Sequence, residues 1–514
     1  MARLHEYMGK KLLAEAGLAV PSGRLIAAGE LRHLEAFPHY PAILKAQAWT
    51  TSRMAQGLIR FVDDADAALA AAEDLFGRII NNFTIDHLLL EQRLAIKEEY
   101  FLSYFIDDAT ASPQIIFATT GGSGVEDILR RAPDKMQRMS IDLRRFYVHQ
   151  LRDLLGRAGI SGKPLLLLGD ALYKAVRAAI RHEARSLEIN PLVLTEAGSV
   201  VAADCRMTID DYAVFRHPEV EVEIARELAN PPTALDRIAY AVEKNDYRGT
   251  FYFIQMESDF TREDNYVGFH GAGGGGSMMS MDAIQQAGFK IANFCDTSGN
   301  PPASKVYRAA RIIAAQPNIC GYFGSGSGVA SQEQVHSARG LVKAFREMHM
   351  PLPVVVRLGG NLEDEAVAIL ESYTADLPAA IRGFKKDDPV SACAAVFAEL
   401  AASPSAGNPD FSAPQPEWLM ADNVYRFTTL TGEVYFNHDV CRTCKNQVCI
   451  SACIPQILKQ ENGVPVLAIS PQEAAKGKCI ECLICEVECQ ALAAGGGYVD
   501  LPIAGLADYS REGK

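Results

Sequence analysis

Residues 266–277, YVGFHGAGGGGS, decide how the chain is read: an apolar strand runs into glycines, and SMDAIQQAG (280–288) follows with helical spacing. The order recurs twice. NICGYFGSGSG (318–328) leads into SQEQVHSARGLVKAFREM (331–348), and PLPVVVRLGGN (351–361) leads into EDEAVAILES (363–372). Strand, glycine loop and helix in alternation predict a doubly wound parallel α/β sheet with its loops at the carboxyl edge of the strands. The loops Gly271–Ser277, Gly324–Gly328 and Gly359–Asn361 then offer backbone N–H groups to a phosphate or carboxylate at helix starts. One such loop says little, because turns need glycine anyway; three at consecutive strand ends point to an anion site.

Working outward, 514 residues at roughly 150 per domain suggest three or four domains. Proline-rich seams at ANPPT (229–233) and ASPSAGNPDFSAPQP (402–416) divide the chain into segments 1–220, 235–400 and 425–514, with 402–424 as a linker. The first segment mixes strands and amphipathic helices. YPAILKAQAW, IDHLLLEQRL, SYFIDDA and PQIIFATT read as strands, and LVLTEAGSVVAADCRM reads as a hairpin around Glu196-Ala197-Gly198. Helices are predicted over 65–77 and, in GDALYKAVRAAIRHE, over about 170–184.

The composition is that of a folded chain: 48% hydrophobic and 22% charged, with a formal charge of −13. The acidic balance argues against nucleic acid or an anionic membrane surface as partner. No apolar run reaches the roughly 18 residues needed to span a bilayer, and the N-terminus lacks a signal-peptide pattern. A soluble, cytoplasmic protein without membrane insertion is expected.

Eight of the twelve cysteines lie between Cys441 and Cys489, in the order C441-x2-C444-x4-C449-x3-C453 and C479-x2-C482-x2-C485-x3-C489. Cys205, Cys295, Cys320 and Cys393 stand apart in apolar surroundings and read as small core side chains. Nothing points to secretion, so a disulfide framework is the weaker reading of the cluster. The second set has the spacing of a bacterial-type [4Fe–4S] ferredoxin, in which the fourth cysteine ligates the other cluster. By that crossing, Cys441, Cys444, Cys449 and Cys489 hold one cluster, and Cys479, Cys482, Cys485 and Cys453 hold the other. Zinc also suits paired CxxC motifs but has no use for the third and fourth cysteine of each set. The segment resembles two-cluster ferredoxins over about 70 residues, which implies a small α+β domain. It departs from them in the x4 gap, in Gln490 where a proline usually follows Cys489, and in the late Pro455 after Cys453.

A second resemblance covers nearly all of residues 1–400. LHEYMGKKLLAEAGLAVPSG, KEEYFLSYFIDD, ATTGGSGVEDI, SLEINPLVLTEAG, AADCRMTIDDYAVFRHP, ANFCDTSGN and PVVVRLGGN look like the β subunit of succinyl-CoA synthetase, in family order. The resemblance implies an ATP-grasp domain followed by a flavodoxin-like CoA-ligase domain. It also implies an acid–CoA ligase that joins a small carboxylic acid to CoA while splitting ATP or GTP to the diphosphate and phosphate. Lys45 matches the family's phosphate lysine, and Arg53 and Gly57 persist from the loop after it. Asn190 and Asp204 match its Mg²⁺ ligands, which suits hard oxygen donors on adjoining strands of the hairpin. Glu98 and Glu99 match the stretch near base and ribose. Glu188, on the strand face of Asn190, would meet a phosphorylated histidine arriving from the partner.

That histidine and the CoA-binding Rossmann domain belong to the family's α subunit and have no match here, so an α-type partner is implied. His270 reads as a loop histidine near substrate rather than a phosphoryl carrier. The family follows its lysine with glycines and a second lysine, where this chain has Thr51, Ser52, Met54 and Ala55. Their β-carbons interfere with close approach of backbone to phosphate. Two functions follow: a β-type ligase subunit whose clusters couple it to a redox partner, or an electron-transfer and scaffold subunit whose ATP-grasp site is degenerate.

Overall fold

The computed structural model describes residues 1–122, 136–246, 251–326, 330–403, 407–411 and 415–512. Two compact units divide the chain, Met1–Pro231 and Pro232–Lys514. Parts of ATTGGSGVEDI, of the loop Gly324–Gly328 and of the linker 402–416 lie outside the described residues.

The first unit is built on two large sheets, beside a small hairpin of Ile79–Ile80 with Phe83–Thr84. Strands Gly23–Ala27, His87–Gln92, Ala42–Ala46 and Ile59–Val62 lie side by side in that order, all antiparallel. Alternation sends Ala42, Leu44 and Ala46 into a core with Ala68, Ala72 and Leu75 of helix Ala65–Leu75, and Lys45 to the other face. Asp64 caps that helix, accepting from Ala67 N–H at 2.8 Å.

The second sheet runs Ala2–Arg3, Arg206–Ile209, Ala184–Thr195, Ile96–Asp107, Ser112–Ala118, Met136–Ser140, and Val200–Ala202 also pairs with Ala184–Thr195. Leu187 and Ile189 are buried against helices Glu6–Glu15 and Gly162–Arg181, while Glu188 and Asn190 take the opposite face. The latter helix starts about eight residues before the predicted 170. Pro164 lies in its first turn, where a missing N–H costs nothing, and the apolar run LLLL continues the helix.

The second unit is built on a sheet of order Tyr252–Gln255, Asn293–Asp296, Tyr266–Ala272, Tyr322–Gly326, Val354–Arg357, Ile381–Phe384. Every pairing is parallel except the first, so the expected all-parallel sheet carries an antiparallel edge strand, a common variation in large α/β sheets. Helices cover both faces. Phe269, Phe323 and Val355 pack with Ile284 and Phe397 on one side, and Tyr322, Val354 and Val356 pack with Ala310, Ala338 and Leu341 on the other.

The cysteine-bearing segment adds a three-stranded antiparallel sheet, Val424–Thr428, Glu433–Asn437 and Gly497–Asp500, and a hairpin, Leu458–Glu461 with Val464–Leu467. Phe427, Val434, Phe436 and Val487 join the same hydrophobic core as helices Ala303–Ala314 and Val335–Glu347. This segment is packed onto the parallel sheet's helical layer as part of one unit.

Candidate functional site

Lys45 lies at the inner end of its strand and is 7% exposed. Its Nζ is 2.8 Å from Glu6 Oε1, 2.9 Å from Glu91 Oε2 and 2.6 Å from the Ala203 carbonyl. Lys10 Nζ meets both carboxylates at 2.7 Å, and Arg53 bridges Glu6 Oε2 at 2.7 Å to Asp204 Oδ1 at 2.8 Å. Three cations and three carboxylates thus form a neutral, buried network. Burial opposes ionisation of Glu6, yet Lys10, Lys45 and Arg53 hold its carboxyl well below the usual range. Burial likewise opposes the charge on Lys45, and Glu6, Glu91 and Asp204 override it and raise its pKa.

Asn190 and Asp204 do come together. The register Leu192↔Ala202 on one side and Glu188↔Arg206 on the other sets Asn190 opposite Asp204, in the break between the two short strands. Asp204 Oδ1 also accepts from Cys205 N–H at 2.7 Å, and Asn190 Oδ1 accepts from Gly122 N–H at 2.7 Å. Gly122 has φ +85°, and a β-carbon there would lie 2.6 Å from Glu99 Oε2, so glycine brings Glu99 to the same corner. Glu98 points to the other strand face, where the Tyr100 hydroxyl donates to it. Glu188 sits 3.9 Å from Arg206. Gly57 closes the turn after Arg53 at φ +67°, its N–H donating to the Met54 carbonyl. Sequence reasoning missed Glu6, Lys10 and Glu91. The signals were there: Glu6 and Lys10 at helical i,i+4 spacing, and a lone glutamate inside the apolar strand HLLLEQ.

In the second unit a cavity of about 40 Å³ opens at the carboxyl end of the parallel strands, lined by His270, Thr297, Ser325, Gln334, Ser337 and Arg357 among others. His270 is buried between the Tyr322 hydroxyl and Thr297 Oγ1, the latter at 3.0 Å, and burial lowers its pKa to about 4. A neutral imidazole therefore faces this cavity. The expected glycine loop Gly271–Ser277 proves to be a strand end and the first turn of helix Gly274–Gln286. The Asp296 carboxylate accepts from Gly273 N–H at 2.9 Å, just before that helix.

None of the twelve cysteines is joined in a disulfide. Among the described residues no three His, Cys, Asp or Glu side chains converge on a single metal-ion position. The eight clustered sulfurs nevertheless fall into two groups. Burial pushes Cys441 up to about 12, with Cys489 and Cys444 adding to it, and Cys449 reaches about 12 through burial and then Cys489, Cys441 and Cys444. Burial raises Cys479 to about 12 and also raises Cys482, and each senses Cys453; Cys485, raised by burial, senses Cys482 and Cys479 and, from the first group, Cys449. An apolar cavity of about 30 Å³ is lined by Cys449, Cys453, Cys479, Cys482 and Cys485. Glycine keeps the first group open as well, since a β-carbon on Gly496 would sit 3.1 Å from Cys441 Sγ.

The ATP-grasp domain family matches residues 3–194, the part of the chain that holds Lys45, Arg53 and Asn190. The chain is 32% identical over 371 residues to the β subunit of ADP-forming succinate–CoA ligase from Rubrobacter xylanophilus, covering 71% of this chain and 92% of that one. It is 30% identical to the β subunit of the GDP-forming enzyme from Thermus thermophilus, with 72% and 93% covered. Among solved structures, ATP citrate lyase from Methanothrix soehngenii, in complex with citrate and coenzyme A, shares the fold at TM-score 0.62 and 18% identity, covering 77% of this chain and 99% of that chain. The chain belongs to the succinate–CoA ligase β-subunit family, a family of acid–CoA ligases. No helix among the described residues is long and apolar enough to cross a membrane.

Proposed function

We propose that the chain is the nucleotide- and acid-binding β-type subunit of an acid–CoA ligase that splits ATP or GTP to the diphosphate and phosphate. CoA and a phosphohistidine would come from an α-type partner. The observation that carries the reading is Asn190 set opposite Asp204, with Lys45 and Arg53 bonded to the same corner. The oxygens of Asn190 and Asp204 fit a hard divalent cation, and Mg²⁺ held there would neutralise phosphate charge. Lys45 and Arg53 supply the remaining positive charge for phosphate oxygens. Glu99, at the Asn190 corner, is favoured over Glu98 as the acidic group near nucleotide, and Glu188 shares the strand face of Asn190. The cavity at His270, in a flavodoxin-like domain over about 235–400, is where a small carboxylic acid would bind, with the neutral imidazole as a hydrogen-bonding group.

Residues 425–514 read as a two-cluster ferredoxin-like domain. The donor set supports this: two groups of four thiols in mainly apolar surroundings, divided as the crossing pattern requires, with Cys453 in the second group and Cys489 in the first. [4Fe–4S] clusters held there would carry single electrons to or from a redox partner protein.

Asp204→Ala should abolish nucleotide-dependent thioester formation, assayed with the α-type partner, and leave the broad absorbance near 400 nm intact; surviving activity would show the metal assignment to be wrong. Cys482→Ala should damage one cluster and spare ligation.

The closed network favours a second reading. With Lys45 and Arg53 already neutralised by Glu6, Glu91 and Asp204, and with no glycines at Thr51–Ala55, the unit would serve as an electron-transfer scaffold. Calorimetry of Mg²⁺-ATP and Mg²⁺-ADP on the anaerobically purified complex separates the two. Saturable binding lost in Asp204→Ala supports the ligase, and no binding by a folded, brown complex supports the scaffold.

A further inference from the structure

Resting on the cluster reading above, we propose that Glu481 is a positioning residue of the site formed by Cys453, Cys479, Cys482 and Cys485. Its side chain pins the loop from Cys479 to Cys482, and its buried charge makes this the lower-potential site of the two. Glu481 lies between Cys479 and Cys482 in sequence and lines the same apolar cavity as the four cysteines. It is 2% exposed, and its backbone holds φ +51°, the left-handed region that residues other than glycine rarely adopt.

Three hydrogen bonds hold it there. Glu481 Oε1 accepts from the Thr429 hydroxyl at 2.6 Å and from Thr431 N–H at 2.7 Å, and Oε2 accepts from the Thr431 hydroxyl at 2.7 Å. Both threonines belong to the turn between strands Val424–Thr428 and Glu433–Asn437. Their hydroxyl oxygens in turn accept, Thr429 Oγ1 from Gly432 N–H at 3.0 Å and Thr431 Oγ1 from Arg308 Nη1 at 2.9 Å. Their protons are thus directed at Glu481, whose carboxylate acts only as an acceptor. Arg308 also donates to the Thr431 and Pro502 carbonyls, which ties the turn to helix Ala303–Ala314.

The charge of this carboxylate is met differently from that of its neighbours. Glu486 is answered by Lys343 at 2.8 Å and Glu488 by Arg339 at 2.9 Å. The three bonds to Glu481 come from neutral groups, and Arg308 reaches it only through Thr431. The stretch 479–485 therefore carries a buried negative charge, whereas the stretch 441–449 of the other group carries Arg442 and Lys445. Each electron taken up by a thiolate-ligated cluster adds negative charge, so a fixed carboxylate in apolar surroundings opposes reduction.

The test is a potentiometric titration followed by electron paramagnetic resonance, on the full chain purified without oxygen and with iron content determined. Glu481→Gln keeps the size of the side chain and the two bonds at Oε1 but removes the charge. It should retain both clusters, raise the reduction equilibrium of the lower-potential one about tenfold, or about 59 mV for a one-electron couple, and leave the other unmoved. Glu481→Ala removes the anchor as well and should lose the iron of one cluster. Two intact clusters with unchanged midpoints in Glu481→Gln, or a shift of the higher midpoint alone, overturn the assignment, as does full iron content in Glu481→Ala. Should Glu481→Gln itself lose iron, Thr431→Val keeps the charge and removes one donor, and should lower the same reduction equilibrium several-fold; unmoved midpoints there overturn the assignment instead. A wild-type protein that is colourless and loaded with zinc overturns the cluster reading and this inference together.

Discussion

Two regions of the molecule bury lysine and arginine deeply, and they balance the charge in different ways. Around Lys45 the cations and carboxylates come from a helix, two strands and two loops of one unit, and each of these charges is answered within it. On helix Val335–Glu347 the cations are answered by the cysteine-bearing segment. Lys343, with no side-chain exposure, meets Glu486 at 2.8 Å and Glu347 at 2.6 Å, and Arg339 meets Glu488. Below them Arg308 donates to Thr431, whose hydroxyl donates to Glu481 at 2.7 Å. Glu481, Glu486 and Glu488 are interleaved with Cys479, Cys482, Cys485 and Cys489. The first network ties elements of one unit together; the second fastens the cysteine loops to the helical layer of the parallel sheet. A buried pair adds little net stability over an apolar isostere, but removing one partner is severe.

The largest effect should come from breaking the fastening. Lys343→Met leaves Glu486 buried without its cation and Glu347 with Arg311 alone, and should cost about 3–5 kcal/mol. Urea denaturation should show the second unit destabilised, and loss of the 400 nm absorbance should accompany it. A variant that unfolds at the wild-type midpoint would mean that the segment is held by its apolar core alone.

His270 sharpens the comparison because it is a buried base with no carboxylate beside it. Burial lowers its pKa to about 4, against an ordinary value of 6.5. Between those values the unfolded chain binds the proton and the folded chain does not. Its contribution to stability is therefore full above about pH 6.5 and is lost as pH falls toward 4, about 3 kcal/mol in all. If Gln keeps the bonds to Tyr322 and Thr297, the difference between wild type and His270→Gln in denaturation midpoint should be small above about pH 6.5 and should open as pH falls toward 4, with the variant the more stable. A constant difference would place the protonation elsewhere.

Much of this was legible beforehand, and what escaped has a common cause. The parallel strands, the hairpin at Glu196–Gly198 and the grouping of cysteines follow from local period and spacing. Lys45, Asn190 and Asp204 came from resemblance, and the strand register then set the last two face to face. Glu6, Lys10 and Glu91 escaped because each alone reads as a solvated charge; only the fold brings residues 6, 45, 53, 91 and 204 to one point. The same holds for Arg339 and Lys343, whose partners lie more than 140 residues away. The start of helix Gly274–Gln286 escaped for another reason, since the sequence placed that helix from Ser280: three glycines open it against their propensity. One of the close approaches there is visible at Gly271, where a β-carbon would lie 2.2 Å from Ser277 Oγ.

A smaller effect tests whether the Lys45 network is a closed lock or a set of groups held ready. Glu6→Gln keeps the shape and removes one negative charge from among Lys10, Lys45 and Arg53. It should cost about 2 kcal/mol from weakened charged hydrogen bonds and leave the corner with net positive charge. Calorimetry should then show tighter Mg²⁺-ATP binding than in wild type, although the fold is weaker. Reduced or absent binding in a folded Glu6→Gln protein would mean that Glu6 positions Lys45 for phosphate rather than competing for it.

The smallest effect belongs to the loop that follows. Ser52 holds φ +53°, a conformation that glycine adopts without a β-carbon penalty. Ser52→Gly should therefore change stability by no more than about 1 kcal/mol, since relief of strain offsets the looser unfolded chain. Its informative readout is nucleotide affinity. If the β-carbons of this loop are what hold backbone amides away from phosphate, Ser52→Gly should tighten Mg²⁺-ATP several-fold with no change in the Lys45 ion pairs. If affinity is unmoved while Glu6→Gln raises it, charge rather than backbone approach limits the site, and the departure of this loop from the glycine-rich pattern matters less than the carboxylates packed beneath it.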